Sequence, residues 1–168
     1  MIEYLKHNTF NPSEARKMIL TPHMLIGAAI GSRLPGYGSI FALSIILHYL
    51  LDALPHREYQ IENLKNGLNK KFLIDGLKVA LDFFFALGLI VWLTYDRTNF
   101  SYILTGCLSA ALPDLLIFLF WRFDGKFLKA LDEFHHQIHR PKNKKTPWWL
   151  GVSTQIIAGL VAVFILYL

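Results

Sequence analysis

Four long apolar runs set the terms for anything this chain can fold into. Tyr37–Leu54 is the first. Phe72–Tyr95 is the second, broken by Asp75, Lys78 and Asp82. Phe100–Trp121 is the third, broken by Pro113 and Asp114, and Trp148–Leu168 is the fourth, with no charge in it. Each holds about 18–24 residues, which at ~1.5 Å per residue approaches the ~30 Å hydrocarbon thickness of a bilayer. They are too long for strands and lack strict alternation. A shorter run, Pro22–Leu34, precedes them, and Thr21-Pro22 reads as its N-cap and first helical residue. Gly27 and Gly31 form a G-x-x-x-G pair that lets helix backbones approach closely. Leu34-Pro35-Gly36-Tyr37-Gly38 reads as a tight turn. The expected fold is all-α, a polytopic membrane helix bundle of about five transmembrane helices with a short first one.

Composition agrees with this. The 168 residues are 54% hydrophobic and 17% charged, and mean hydropathy is +0.36. That is too apolar for an ordinary soluble domain of this length, so a single membrane-embedded domain over residues 1–168 is expected. Residues 1–20 are polar and read as an N-terminal arm without a cleavable signal sequence. The lone Cys107 allows neither an intrachain disulfide nor a cysteine-based zinc knuckle. The net charge of +5 reads as basic loops facing anionic lipid headgroups, and nucleic acid is not favoured as a partner.

Lysine and arginine set the expected topology. With five spans and the N-terminus inside, fourteen of the seventeen basic residues fall in the inner arm and loops. Arg33 and Arg97 fall outside, and Lys78 lies within a span. This asymmetry places the N-terminus in the cytoplasm and the C-terminus outside. It also counts the short first helix as a span. Residues 1–20 become a cytoplasmic arm and 122–146 a cytoplasmic, His-rich basic loop.

Histidine and aspartate, which played no part in that count, then gather at one end. His23 begins the first helix. His48, Asp52 and His56 end the second. Asp75 and Asp82 occupy the inner half of the third, Asp114 the inner part of the fourth, and His135, His136 and His139 the inner loop. An ionisable group at the centre of a membrane helix costs about 2.5–3.5 kcal/mol on insertion scales, so several in one small bundle need partners or a function. His48 and Asp52 are four residues apart, on one helical face, and His135 and His139 repeat that spacing in a segment that reads as helical. Imidazole with carboxylate is the ligand set of zinc and of non-haem iron or manganese. The expected metal ligands are His23, His48, Asp52, Asp114, His135 and His139, holding a divalent ion with zinc favoured over manganese or iron. Asp82 is the expected general base. Asp75 reads as a structural partner of Lys78 or Lys71, and His56 as an interfacial residue beside Arg57. Trp121, Trp148 and Trp149 read as an interfacial belt.

Three segments carry a family resemblance. Pro22-His23-Met24 with the Gly/Ala helix behind it, Leu47-His48-Tyr49-Leu50-Leu51-Asp52-Ala53-Leu54-Pro55, and Ala111-Leu112-Pro113-Asp114 resemble motifs of the bacterial metal-dependent, inner-membrane-associated hydrolases, relatives of zinc-dependent phospholipase C-like proteins. The resemblance implies metal roles for His23, His48, Asp52 and Asp114, with Phe134-His135-His136-Gln137-Ile138-His139 standing in for a further histidine motif. It also implies residence in a bacterial inner membrane. The match is uneven. Here H-x-x-x-D precedes L-P-D, and Leu115, Leu116 and Ile117 follow Asp114 where the family pattern has a second aspartate and a histidine.

The function expected from all this is metal-dependent hydrolysis of a lipid or membrane-borne substrate, a phosphoester among the candidates, at the cytoplasmic leaflet. The alternative is a non-enzymatic membrane protein with a structural metal or an ion- or proton-handling polar cluster. Conduction is disfavoured because the outer half holds almost no ionisable groups. No G-x-S-x-G or P-loop sequence is present.

Overall fold

The computed structural model describes residues 17–57, 59–65, 68–123, 126–138 and 147–168. A two-residue strand β1 (Lys17–Met18) leads into helices α1 (Thr21–Arg33) and α2 (Tyr37–Asp52). Strand β2 (Tyr59–Gln60) and a 3-10 turn (Glu62–Lys65) follow, then α3 (Lys70–Thr94), α4 (Phe100–Phe123), α5 (Lys126–Ile138) and α6 (Trp148–Tyr167). The fold is all-α apart from the small strand pair. Each apolar run forms a helix within a few residues of its expected ends. α3, α4 and α6 are long and apolar enough to cross a membrane, and α2 is a shorter apolar helix.

α1 has only 13 residues, about 20 Å of helix, yet the bundle is organised around it. Pro22 to Leu25 and Gly27 to Gly31 are all buried, and α2, α3, α4 and α6 all pack against it. A helix enclosed by protein need not be strongly apolar, which is why its composition is rich in glycine and alanine. Those small residues are used against α4. A methyl group on Gly27 would run into the Gly106 carbonyl, and one on Gly31 into the Tyr102 carbonyl. Gly106 meets the Gly27 carbonyl in return. The core built on this contact includes Met24, Ala28, Ile90, Ile103, Cys107 and Ala162.

Three helix starts have an identifiable cause. Asn69 caps α3, its side chain accepting from Phe72 N–H at 2.9 Å. Gly36 supplies the positive φ of 90° that the turn between α1 and α2 needs. α1 differs from expectation. Its N-cap position is Leu20, which has no capping side chain, so Thr21 and Pro22 are its first two helical residues. The capping oxygens come from Asp82 on α3. Leu20 N–H donates to Asp82 Oδ2 at 2.6 Å, Thr21 N–H to Oδ1 at 3.3 Å, and the Thr21 hydroxyl to Oδ1 at 2.5 Å. A carboxylate here satisfies donors that would otherwise lack partners and complements the positive helix end.

The two ends of the bundle are distinct. At one end β1 and β2 pair antiparallel, Lys17 opposite Gln60 and Met18 opposite Tyr59. The start of α1 and the chain leaving α2 therefore lie side by side. α6 begins at that end too. Its Thr154 hydroxyl donates to the Pro55 carbonyl, and its Gln155 amide to the Arg57 carbonyl. At the opposite end Arg33 donates to the Ile165 carbonyl at 2.5 Å and Arg97 to the Leu166 carbonyl at 2.6 Å. These two cations satisfy carbonyls in the last turn of α6, where the helix has no donors of its own. Asn99 Nδ2 donates to the Ser32 carbonyl at 2.9 Å and ties the two turns of that end together.

Gly106→Ala is expected to push α1 and α4 apart and destabilise the purified protein by about 1–3 kcal/mol, the usual range for overpacking. An unchanged melting temperature would contradict so close a contact.

Candidate metal centre

The donors come from four helices. His23 lies in the first turn of α1, held there by the Asp82 cap. His48 and Asp52 lie one turn apart near the end of α2. Asp114 follows Pro113, which sits inside α4 and has no N–H to give back to the helix. His135 lies on α5. All five are buried, between 1% and 7% exposed.

The five side chains point Nε2 and carboxylate oxygens at one another. His23 Nε2 is 3.3 Å from Asp52 Oδ1, and His48 Nε2 is 3.1 Å from Asp52 Oδ2. His135 Nε2 is 3.8 Å from Asp52 Oδ2 and 3.7 Å from Asp114 Oδ1. His48 Nε2 is 4.0 Å from the same Asp114 oxygen. Two overlapping ligand groups result, His23–His48–Asp52 and His48–Asp114–His135, and each has its donor atoms within 4.8 Å of one another. The rings of His23 and His48 are 4.5 Å apart, and those of His48 and His135 are 5.7 Å apart.

The chemistry of this set fits a cation. Two carboxylates and three imidazoles are buried together, and two buried negative charges side by side need a positive partner, an imidazolium or a metal ion. His48 is particularly informative. Its Nε2 stands 3.1 Å from Asp52 Oδ2 and 4.0 Å from Asp114 Oδ1, in a residue only 1% exposed. An imidazole nitrogen set between two carboxylate oxygens is placed to share a proton with them or to bind an ion alongside them. A buried His/Asp group that could hold a metal ion is therefore present.

The structure treats the expected site residues unequally. It brings together His23, His48, Asp52, Asp114 and His135. His139 lies outside the described residues, as does the side chain of His136. His56 does not join the group; its Nδ1 is 2.7 Å from the Leu54 carbonyl. Asp82 belongs to neither ligand group, because both its oxygens are engaged at the start of α1 and Tyr59 also donates to Oδ2 at 3.1 Å. Asp75 has the structural role expected. It accepts from Lys78 Nζ at 2.7 Å and from Asn63 Nδ2 at 2.8 Å, tying α3 to the 3-10 turn.

Two neighbours of the centre were not anticipated. Tyr49 stands edge-on to His48 at 5.2 Å and to His135 at 5.7 Å, and it also meets Phe134 at 5.0 Å. Asp132, three residues before His135, is 7% exposed. The D-x-x-H spacing was visible in the sequence as a possible shared helix face. Nothing in the sequence set Tyr49 apart from the other tyrosines. Beside His23 lies a small pocket lined by Pro22, Leu51, Leu54, His56 and Ala158 among others, with room for about one water molecule.

Comparison with protein families, with curated proteins and with solved structures returned no match to this chain.

Asp82→Ala is expected to lower stability by about 1–2 kcal/mol, the loss typical of a helix cap, with Asp82→Asn retaining part of it. A melting temperature equal to that of the unaltered protein would show that α1 does not depend on this carboxylate.

Proposed function

We propose that this protein is an integral membrane, metal-dependent hydrolase acting on a lipid or membrane-borne substrate, a phosphoester in the simplest form. The observation that carries the reading is that three imidazoles and two carboxylates from four helices form two overlapping buried groups that share His48. His23, His48, Asp52, Asp114 and His135 would hold a divalent ion. Zinc, the ion expected from the ligand types, commonly takes four ligands. Each of the two overlapping groups offers three donors and shares His48, so zinc would complete its set with a further side chain or a water; manganese or iron would need more. Bound there, a divalent ion supplies Lewis-acid polarisation of the scissile group and lowers the pKa of a coordinated water toward ~7.

The chain's own residues do the rest. His48 and Asp52 present donors from adjacent turns of one rigid helix. Asp82 holds His23 in place through the α1 cap. The pocket beside His23, lined largely by apolar residues, has room for a water molecule. A carboxylate oxygen left outside the ligand set, on Asp114 or Asp52, would be placed to accept a proton. The resemblance to inner-membrane metal-dependent hydrolases supports the same reading through His23, His48, Asp52 and Asp114.

In the bilayer, we take all five of α1, α2, α3, α4 and α6 to run between the leaflets. The end bearing the metal centre faces the cytoplasm, following the basic residues, and the C-terminus faces out. The β1–β2 pairing supports this, since it sets the N-terminal arm beside the chain leaving α2, as an α1–α2 hairpin requires. The bacterial inner membrane is the location the resemblance implies.

A second reading is a structural metal that staples the helices. The burial of all five donors favours it, because a closed site with no open position is what a structural ion prefers.

Three measurements test these readings. Purified protein is expected to carry about one divalent ion, lost in His48→Ala plus Asp52→Ala; metal content unaffected by that double change would sink the metal reading. With metal bound, release of phosphate or headgroup from a phospholipid in mixed micelles supports the hydrolase, while no turnover together with a chelator-lowered melting temperature selects the staple. For topology, a cysteine at Gln60 is expected to label only from the cytoplasmic face and one at Thr98 only from the opposite face. Labelling of both from one side would refute the five-span arrangement.

A further inference from the structure

His135 differs from the other four donors because its helix is not one of the long apolar ones. α5 is strongly amphipathic and rests on the bundle through α4 and, more lightly, α2. His135 and Asp132 point inward, and Leu128, Leu131 and Ile138 are half-buried. The apolar side of the helix is wider than this docked strip. Phe127 and Phe134 lie two turns apart on one stripe, beside the docked residues, and are 73% and 49% exposed. Lys126, Glu133 and Gln137 are exposed on the remaining side, with Lys129 Nζ 3.8 Å from Glu133. Phenylalanines along one edge and a polar opposite face form the pattern of a helix lying in the plane of a membrane surface.

The surroundings indicate which surface. The same end of the bundle exposes Arg57, Lys70 and Lys71, and the sequence after α5 contains Arg140, Lys142, Lys144 and Lys145. Such charge attracts anionic headgroups. We propose that α5 binds an anionic lipid surface, with Phe127 and Phe134 set among the upper acyl chains, and that this contact holds His135 at the metal centre. The lipid surface then controls occupancy of the centre, because the membrane contact and the donor lie on one 13-residue helix. Phe134 and His135 couple the two directly, since both rings pack against Tyr49. The occupancy part of this inference rests on the metal reading above; the lipid contact does not.

The test uses the full chain in vesicles of phosphatidylcholine with or without phosphatidylglycerol. Phe127→Cys carries an environment-sensitive fluorophore, Gln137→Cys serves as the polar-face control, and the buried Cys107 does not compete for label. The label at 127 is expected to be quenched by lipids brominated near the top of the acyl chain and shielded from aqueous iodide, with the reverse at 137. A label at 127 as open to iodide as that at 137 overturns the contact. So does one shielded from both quenchers, which would indicate a second copy of the chain on this face. Zinc affinity, measured with zinc alone by chelator competition, is expected to fall at least tenfold without phosphatidylglycerol and in Phe127→Asp. In His135→Ala it is expected to be weak and insensitive to lipid. Affinity indifferent to lipid, in a protein that still needs His48 and Asp52 to bind zinc, overturns this inference alone. Zinc binding indifferent to His48→Ala plus Asp52→Ala overturns the reading on which it rests.

Discussion

Backbone-to-backbone contact between α1 and α4, at Gly27, Gly31 and Gly106, is the constraint on which the other distances depend. Side chains at these positions would separate the two helices. His23 and Asp114 are carried on those helices, so their approach to Asp52 and His48 would be lost with it. The contact also explains why a 13-residue helix can sit at the centre of the bundle. Its neighbours supply the apolar environment, so its own sequence can be given over to small residues and one histidine.

A second constraint is local to the start of α1. A helix beginning inside a bundle has N–H groups that water cannot reach, and each one left unsatisfied is expensive. Asp82 meets that need from α3, and the Thr21 hydroxyl and Tyr59 bind the same carboxylate. The arrangement sets the register of α1 and hence the height of His23, the donor two residues further along. Asp82 therefore acts on the centre through helix placement. Asp75, one helix face away from solvent and paired with Lys78 and Asn63, likewise secures the turn between β2 and α3.

The centre joins transverse and peripheral elements. Four donors sit on helices of the main bundle, while the fifth is brought in by α5 from the side. Buried ionisable groups in an apolar bundle oppose folding unless they compensate one another. The His and Asp side chains of the group are close enough to compensate one another.

The sequence by itself determined the helices. Apolar runs of bilayer length and the Pro35-Gly36 turn act through local propensity and burial, and need no knowledge of neighbours. It also determined which residues were candidates, because a histidine or aspartate in an apolar run is anomalous wherever the helix packs. His48 and Asp52 could even be paired, since helical spacing puts them on one face. Only the tertiary structure decided which of the others meet them. His23 and Asp114 are distant in the chain, and their meeting depends on the rotation of α1 against α4, which the glycines set. His135 joined them only because α5 presents that residue's face to the bundle. Asp82 read in the sequence as an acid in an apolar helix, the expected general base. Its part as a cap followed from where α1 begins in space, and the one-dimensional pattern of apolar and polar residues carries no record of that position.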